Sequence, residues 1–413
     1  MTTLYTNIRQ LLGVREHASL LRGSELAHLP LIENAYLLVE NGIIASYGGM
    51  NELNTHLLNL PKAIVDVKGQ LVLPTWCDSH THIVFAKSRE DEFVDKIKGK
   101  SYAEIAASGG GILNSANVLA STSEEDLFAL AMTRLREVIA LGTGAIEIKS
   151  GYGLSLEAEL KMLRVIKRIK QEAPIPVKAT FLGAHTFPIA FREDHEGYMR
   201  MIIEEMLPVI AAEDLADYID VFCEENFFSV QEMQRICTAG SSHGLKPKLH
   251  VNQLNSVGGL QAGIELGAIS LDHLETMTAQ DVVDIAGAAS IGTLLPSAAF
   301  FLRMHYQPAR AMIDAGAAIA LASDFNPGSS PSGNMNFVVA LACIQLKMTP
   351  AEAINAATIN GAFAMDCDHE LGSITAGKKA NLIFTKPIPS FYYLPYAFGS
   401  NLIDKVMIKG KFQ

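Results

Sequence analysis

Leu71-Val-Leu-Pro-Thr-Trp-Cys-Asp-Ser-His-Thr-His-Ile-Val-Phe85 is the stretch on which the fold and the chemistry both turn. It is apolar and β-prone up to Pro74 and again after His82, so it reads as one buried strand with a polar tip. Side chains on a strand alternate faces, which points His80 and His82 the same way. Two neutral imidazoles side by side on a rigid strand form half of a metal site. An isolated His-x-His pair is more often a pair of satisfied structural histidines, so the rest of the chain has to decide.

From about residue 75 to 330 strand-like runs alternate with amphipathic helical segments, the pattern of a parallel α/β protein. The runs are Leu71–Phe85, Gly144–Ser150, Val177–His185, Tyr218–Glu225, Lys246–Gln253, Ala268–Glu275, Ser290–Pro296 and Ala317–Asp324. Eight parallel strands with helices between them close into a (β/α)8 barrel. An open doubly wound sheet is the competitor, but no Gly-x-Gly-x-x-Gly turn follows the first strand. The ends read differently. Asn34–Gly48 is two short strands around Asn41-Gly42, a hairpin signal, and Asn381–Phe384 and Val406–Gly410 are short strands with turns. Residues 1–72 and 371–413 are therefore expected to join into one small β-sandwich domain, with the barrel, residues 73–370, inserted between them. The segment Ser88–Leu113, with Gly109-Gly110-Gly111, is longer than a βα loop requires and reads as an active-site lid.

Composition narrows the class. Of the 413 residues 49% are hydrophobic and 19% charged, which suits a large buried core. A formal net charge of −11 disfavours nucleic acid and anionic membrane as partners, since both need basic patches. Cys77, Cys223, Cys237, Cys343 and Cys367 are scattered, odd in number and without Cys-x-x-Cys spacing, as expected of reduced thiols in a cytoplasmic protein. The run Met1-Thr-Thr-Leu-Tyr-Thr-Asn has no charged segment followed by an apolar one, so no signal peptide is expected. No stretch of about 18 uninterrupted apolar residues is present to span a membrane.

Chemistry in such a barrel gathers at the C-terminal ends of the strands. His80 and His82 are on the first, His185 on the third, His250 on the fifth, His273 on the sixth and Asp324 on the eighth. Five of the twelve histidines at such positions outweigh the structural reading of any one of them. Three imidazoles and a carboxylate suit zinc or ferrous iron, and His80, His82, His250 and Asp324 are the expected ligands. A metal there would lower the pKa of a bound water to about 7. Asp324 could act as weak ligand and proton shuttle, and His273 could stabilise the developing oxyanion or assist the shuttle.

With these residues the chain resembles the metal-dependent amidohydrolase superfamily, and more narrowly its imidazolonepropionase family. The narrower resemblance rests on Asp78–Phe93, Ser101–Ile112, Glu147-Ile-Lys-Ser-Gly-Tyr-Gly-Leu154, Phe181-Leu-Gly-Ala-His-Thr-Phe-Pro188 and Ser323-Asp-Phe-Asn-Pro-Gly-Ser329, which together span the barrel. It implies hydrolysis of the cyclic amide of 4-imidazolone-5-propanoate to N-formimino-L-glutamate, in histidine degradation. It also implies that Arg89 holds the substrate's carboxylate, a task suited to a guanidinium. Without the resemblance Arg89 reads as a surface residue of the charged run Arg89–Glu92. Tyr152 and His185 would contact the ring and carboxylate. Gln253, where many relatives carry an acid, would bond a ring nitrogen or amide. Asn326, Gly328 and Ser329 would complete the pocket around the product's glutamate part. Two-metal members bridge their ions with a carboxylated lysine at the end of the fourth strand. Here that strand ends Val-Phe-Cys-Glu-Glu225, and Lys149 ends the second, so one divalent ion, Zn2+ or Fe2+, is expected. A homodimer is implied as well. Two other readings remain. A deaminase or other cyclic amidase of the superfamily, such as a guanine deaminase, would share the ligands but not need Arg89. A catalytically inactive scaffold barrel would have lost ligands that this chain keeps.

Overall fold

A computed structural model describes residues 2–57, 59–100 and 110–413. The first five strands are β1 (Thr2–Leu12), β2 (Leu31–Glu40), β3 (Ile43–Gly49), β4 (Ala63–Asp66) and β5 (Leu71–Pro74). The next eight are β6 (Trp76–Asp78), β7 (Thr143–Lys149), β8 (Val177–Ala184), β9 (Tyr218–Cys223), β10 (Lys246–Val251), β11 (Ser270–His273), β12 (Ile291–Leu294) and β13 (Ile319–Leu321). The last three are β14 (Leu382–Thr385), β15 (Ile403–Ile408) and β16 (Lys411–Phe412).

The terminal strands form one mixed sheet in the order β16-β15-β14-β5-β1-β2-β3, with β4 paired to β1. The expected sandwich is thus a single sheet with contributions from both ends, and its core includes Ile8, Leu11, Leu37, Val72, Leu382 and Phe384. The β2–β3 hairpin turns where expected, with Asn41 and Gly42 both left-handed at φ 51° and 84°. Those are the dihedral signs a two-residue turn needs to match the strands' twist.

β6 to β13 pair in parallel in sequence order. Every residue of β7, β9, β11, β12 and β13 is buried, as in a sheet covered by helices on one side and filled on the other. The helices start at side-chain caps: Ser123, Ser155, Ser229 and Thr278 each accept the backbone N–H three residues on. The helix Glu124–Ala140 buries Leu127, Ala131, Leu135 and Val138, spaced three or four apart, against the barrel.

Leu71–Phe85 is not the single strand its composition suggests. Proline has no amide hydrogen to extend the ladder, and the chain changes partners just after Pro74. Thr75 N–H donates to Asn381 O at 3.2 Å, on the small sheet, and Trp76 N–H donates to Gly142 O at 2.9 Å, on the barrel. Regular strand then ends at Asp78, short of both histidines. His80 and His82 are held instead by the far edge of the barrel. Asp324 N–H donates to His80 O at 3.0 Å, His82 N–H to Phe325 O at 2.9 Å, and Thr81 pairs in parallel with Phe325. This pairing closes the barrel between its first and last strands.

Of the expected lid, residues 101–109 lie outside the described residues, and so does most of the Ser101–Ile112 motif. On either side are the helices Glu90–Ile97 and Ile112–Ser121, joined by Gly111 N–H donating to Glu92 Oε1 at 2.8 Å. Among the described residues no helix is long and apolar enough to cross a membrane.

The first barrel strand is backed by the short helix Ile359–Phe363, whose Gly361 lies against Cys77. A Cβ there would sit 3.1 Å from Cys77 Cβ and nearer still to its carbonyl oxygen. Gly361→Ala should therefore destabilise the fold by about 1–3 kcal/mol, the usual cost of overpacking. Urea denaturation would show this as a lower midpoint, and an unchanged midpoint would contradict the close approach.

Candidate metal centre and active site

The barrel closure brings three ligand atoms to one point. His80 Nε2 and His82 Nε2 are 3.4 Å apart, and Asp324 Oδ1 is 3.5 Å from the first and 3.6 Å from the second. Ligands at about 2.0–2.1 Å from a tetrahedral ion lie roughly 3.3–3.4 Å from one another. The spacing therefore fits a single small divalent ion. His250 completes the group: its ring centroid is 4.5 Å from that of His80. His80, His82 and His250 can each offer one nitrogen, and these lie within 4.8 Å of one another. All four side chains are buried.

What orients two of the histidines was not legible beforehand. His80 Nδ1–H donates to Asp272 Oδ2 and His250 Nδ1–H to Asp220 Oδ2, both at 2.7 Å. These bonds fix the tautomer and leave each Nε2 lone pair free for a metal. Burial pushes both rings well below the ordinary imidazole range, so both are neutral donors. His82 is likewise held neutral by burial, but its Nδ1 has no partner among the described residues.

Lys149 lies beneath them. Its Nζ is 2.7 Å from Glu147, 2.9 Å from Asp220 and 3.7 Å from Asp272, with all four side chains fully buried. Burial disfavours its charge, but the three carboxylates outweigh burial and keep it protonated. Lys248 extends the raft, 3.2 Å from Glu147 Oε2 and donating at 2.6 Å to Ser270 Oγ, which donates at 2.6 Å to Asp272. Lys149, Asp220 and Asp272 come from barrel strands two, four and six, the alternation that fills one interior layer of such barrels.

Asp324 sits in a left-handed backbone, φ 53°, as do Asn252 (56°), His273 (86°) and Leu274 (64°). Strain of this kind, of order 1–3 kcal/mol each, collects at functional sites. Burial, partly offset by His273, raises the Asp324 carboxyl to about 6. His273 goes the other way: burial opposes its charge, but Glu275, 3.4 Å from its Nδ1, overcomes that and raises it to about 9.

The remaining expected residues line the same end. Arg89 caps the helix Glu90–Ile97. Its Nε donates to Ser115 Oγ at 2.9 Å, its Nη2 is buried without a partner among the described residues, and it lies 5.7 Å from the Tyr152 ring. The charged-surface reading of Arg89 is thereby corrected, because the guanidinium turns inward. Tyr152 is buried, 5.9 Å from His82 and 5.5 Å from His185. His185 stacks on His82 at 5.7 Å, and burial lowers it to about 4, so it is neutral. Gln253 is aligned by Glu224, whose carboxylate accepts the N–H groups of Gln253, Leu254 and Asn255. That role for Glu224 was not foreseen. Asn326 braces the loop: its amide donates to Asp324 O and Ser329 Oγ, both at 2.7 Å, and accepts from Gly328 and Ser329 N–H. Ser329 Oγ donates to Asp324 Oδ2 at 3.2 Å, leaving Oδ1 for the histidines. Gly328 lies so close to Arg89 that a Cβ would meet Nη1 at 2.5 Å.

Residues 71–412 match the amidohydrolase family. The chain is 57% identical over 416 residues to an imidazolonepropionase of Flavobacterium johnsoniae and 56% identical to one of Christiangramia forsetii, all of each chain being covered. It is 40% identical to one of Geobacillus kaustophilus, over 94% of this chain and 92% of the relative. Among solved structures it is similar in fold to an adenosine deaminase from Xanthomonas campestris with bound zinc (TM-score 0.73, 16% identity, 99% and 92% covered). It is similar also to a guanine deaminase from E. coli (TM-score 0.68, 13% identity, 100% and 99% covered).

If Asp220 orients His250, Asp220→Ala should weaken zinc binding by about 10- to 100-fold, the usual effect of losing a ligand's hydrogen-bonded partner. Competition with a chromophoric chelator measures this. Unchanged affinity would mean that the His250–Asp220 bond does not matter to the metal.

Proposed function

The chain belongs to the amidohydrolase family, and within it to the imidazolonepropionases, and from that premise we propose how its residues divide the work. It is a hydrolase that opens the cyclic amide of 4-imidazolone-5-propanoate to N-formimino-L-glutamate in histidine degradation. His80, His82, His250 and Asp324 would hold one divalent ion, zinc or ferrous iron. The observation that carries this is the triangle of His80 Nε2, His82 Nε2 and Asp324 Oδ1, with sides of 3.4 to 3.6 Å. A single ion is favoured because Lys149 is occupied by Glu147, Asp220 and Asp272. When bound, such an ion supplies a water acidic enough to deprotonate near neutral pH.

Asp324 takes the proton of the attacking water and delivers it to the leaving ring nitrogen as the carbon–nitrogen bond breaks. A carboxyl raised to about 6 suits both halves of that task better than an ordinary one. His273, kept cationic by Glu275, faces the negative charge that develops on the carbonyl oxygen. Arg89 pairs with the substrate's carboxylate through its buried Nη2, which has no partner among the described residues. Tyr152 and His185 flank the ring, Gln253 bonds its nitrogen or amide, and Asn326, Gly328 and Ser329 border the product's glutamate part.

Five cysteines free of disulfide bonds support a cytoplasmic location. Pairing of two copies, as the family resemblance implies, would cover some of the exposed apolar side chains, which include Ile344, Tyr392, Tyr396 and Phe398.

The neighbouring deaminases make Arg89 the discriminating residue. Charge-assisted hydrogen bonds to a carboxylate contribute roughly 1.5–3 kcal/mol. Arg89→Ala should lower kcat/KM for imidazolone propionate by roughly 10- to 100-fold or more, and leave an imidazolone without the propionate much less affected. Equal losses on both would mean that Arg89 supports the surrounding structure, with the carboxylate held elsewhere.

A further inference from the structure

We infer that Glu275, held by Gln307, is the positioning residue of His273, and that the two act on catalysis only through that imidazole. Glu275 Oε1 lies 3.4 Å from His273 Nδ1, an ion-pair distance, and accepts from Gln307 Nε2 at 2.9 Å. With Nδ1 engaged there, Nε2 is the ring nitrogen left to the site, where His273 has a donor atom within 4.8 Å of those of His80 and Asp324. Gln307 reaches in from the loop between the helices Pro296–Leu302 and Ala309–Ala315. It is 2% exposed, and Glu275 is 5% exposed.

The arrangement is a poor one for stability alone. Glu275 Oε2 and Gln307 Oε1 are both buried without a donor among the described residues, and an unmet buried polar atom costs about 1–3 kcal/mol. His273 and Leu274 add backbone strain at φ 86° and 64°. Costs gathered on neighbouring residues mark a place where function overrides local preference. What the cost secures here is geometric. A carboxylate at Nδ1 fixes which face of the imidazole meets the substrate, and the Gln307 amide keeps that carboxylate from turning away.

The inference rests on His273 acting on the substrate, and a double-mutant cycle separates the two questions. Glu275→Gln should lower kcat by about 10- to 100-fold with KM changed less than about threefold, while metal content and thermal midpoint stay close to those of the parent. In a His273→Asn background the same change should cost less than about twofold in kcat. Gln307→Ala should give a smaller loss of the same kind that also vanishes in that background, and it carries the test if Glu275→Gln does not fold. A full loss that persists in the His273→Asn background, or one that tracks loss of metal, overturns the inference. Parent-like turnover in His273→Asn alone overturns the role of His273 and the positioning role with it.

Discussion

The parallel pairing between Thr81 and Phe325 is the contact on which the rest of the site depends. Until it forms, His80 and His82 belong to one end of the barrel's strand order and Asp324 to the other, about 240 residues along the chain by simple sequence separation. Two backbone hydrogen bonds, His82 to Phe325 and Asp324 to His80, bring the carboxylate between the imidazoles. Closing the sheet and gathering the candidate metal ligands are therefore one event, which explains why irregular backbone is tolerated at the top of β6 and β13. Ser323 strengthens the seam, donating through both its backbone N–H and its hydroxyl to the buried Asp78.

Beneath the ligands the barrel is filled with charge rather than hydrocarbon. Lys149 and Lys248 stand among Glu147, Asp220 and Asp272, all fully or nearly fully buried. Buried ion pairs of this kind seldom add stability over an apolar filling. Their use lies in orientation. The lysines lie within ion-pair reach of the carboxylates, and Asp220 and Asp272 accept from the Nδ1–H groups of His250 and His80, which leaves each Nε2 lone pair facing the site. The ligand atoms can then be spaced for an ion without the side chains being flexible, and the support comes from alternate strands that cannot move independently.

Much of this was readable from the residues. Strand runs alternating with helical ones predicted the barrel, and the polar residues at strand ends pointed to the side chains that the barrel gathers at one end. Positions within one strand are tied by the period of two, and strand order is tied by parallel winding, so both survive translation from sequence to space. The division of Leu71–Phe85 between two sheets was missed because composition does not say which partner a strand takes; only Pro74 hinted at it. The carboxylates behind the histidines were missed for a related reason. Asp220 in Tyr-Ile-Asp-Val-Phe-Cys and Asp272 in Ser-Leu-Asp-His are charges inside apolar strands, a signal worth following, but their partners are several strands away. Arg89 was ambiguous in sequence, since its acidic neighbours suggest a surface, and only the inward turn at the start of its helix separates the readings.

One ion, seated where the barrel closes, would be necessary and sufficient for turnover. Stripping the purified enzyme of metal and titrating it back with zinc or ferrous iron, while following the loss of the substrate's ultraviolet absorbance, tests it directly. Turnover should be negligible without metal and should rise linearly to a break at one equivalent per chain. Substantial turnover by the stripped enzyme, or a break at two equivalents, would contradict it.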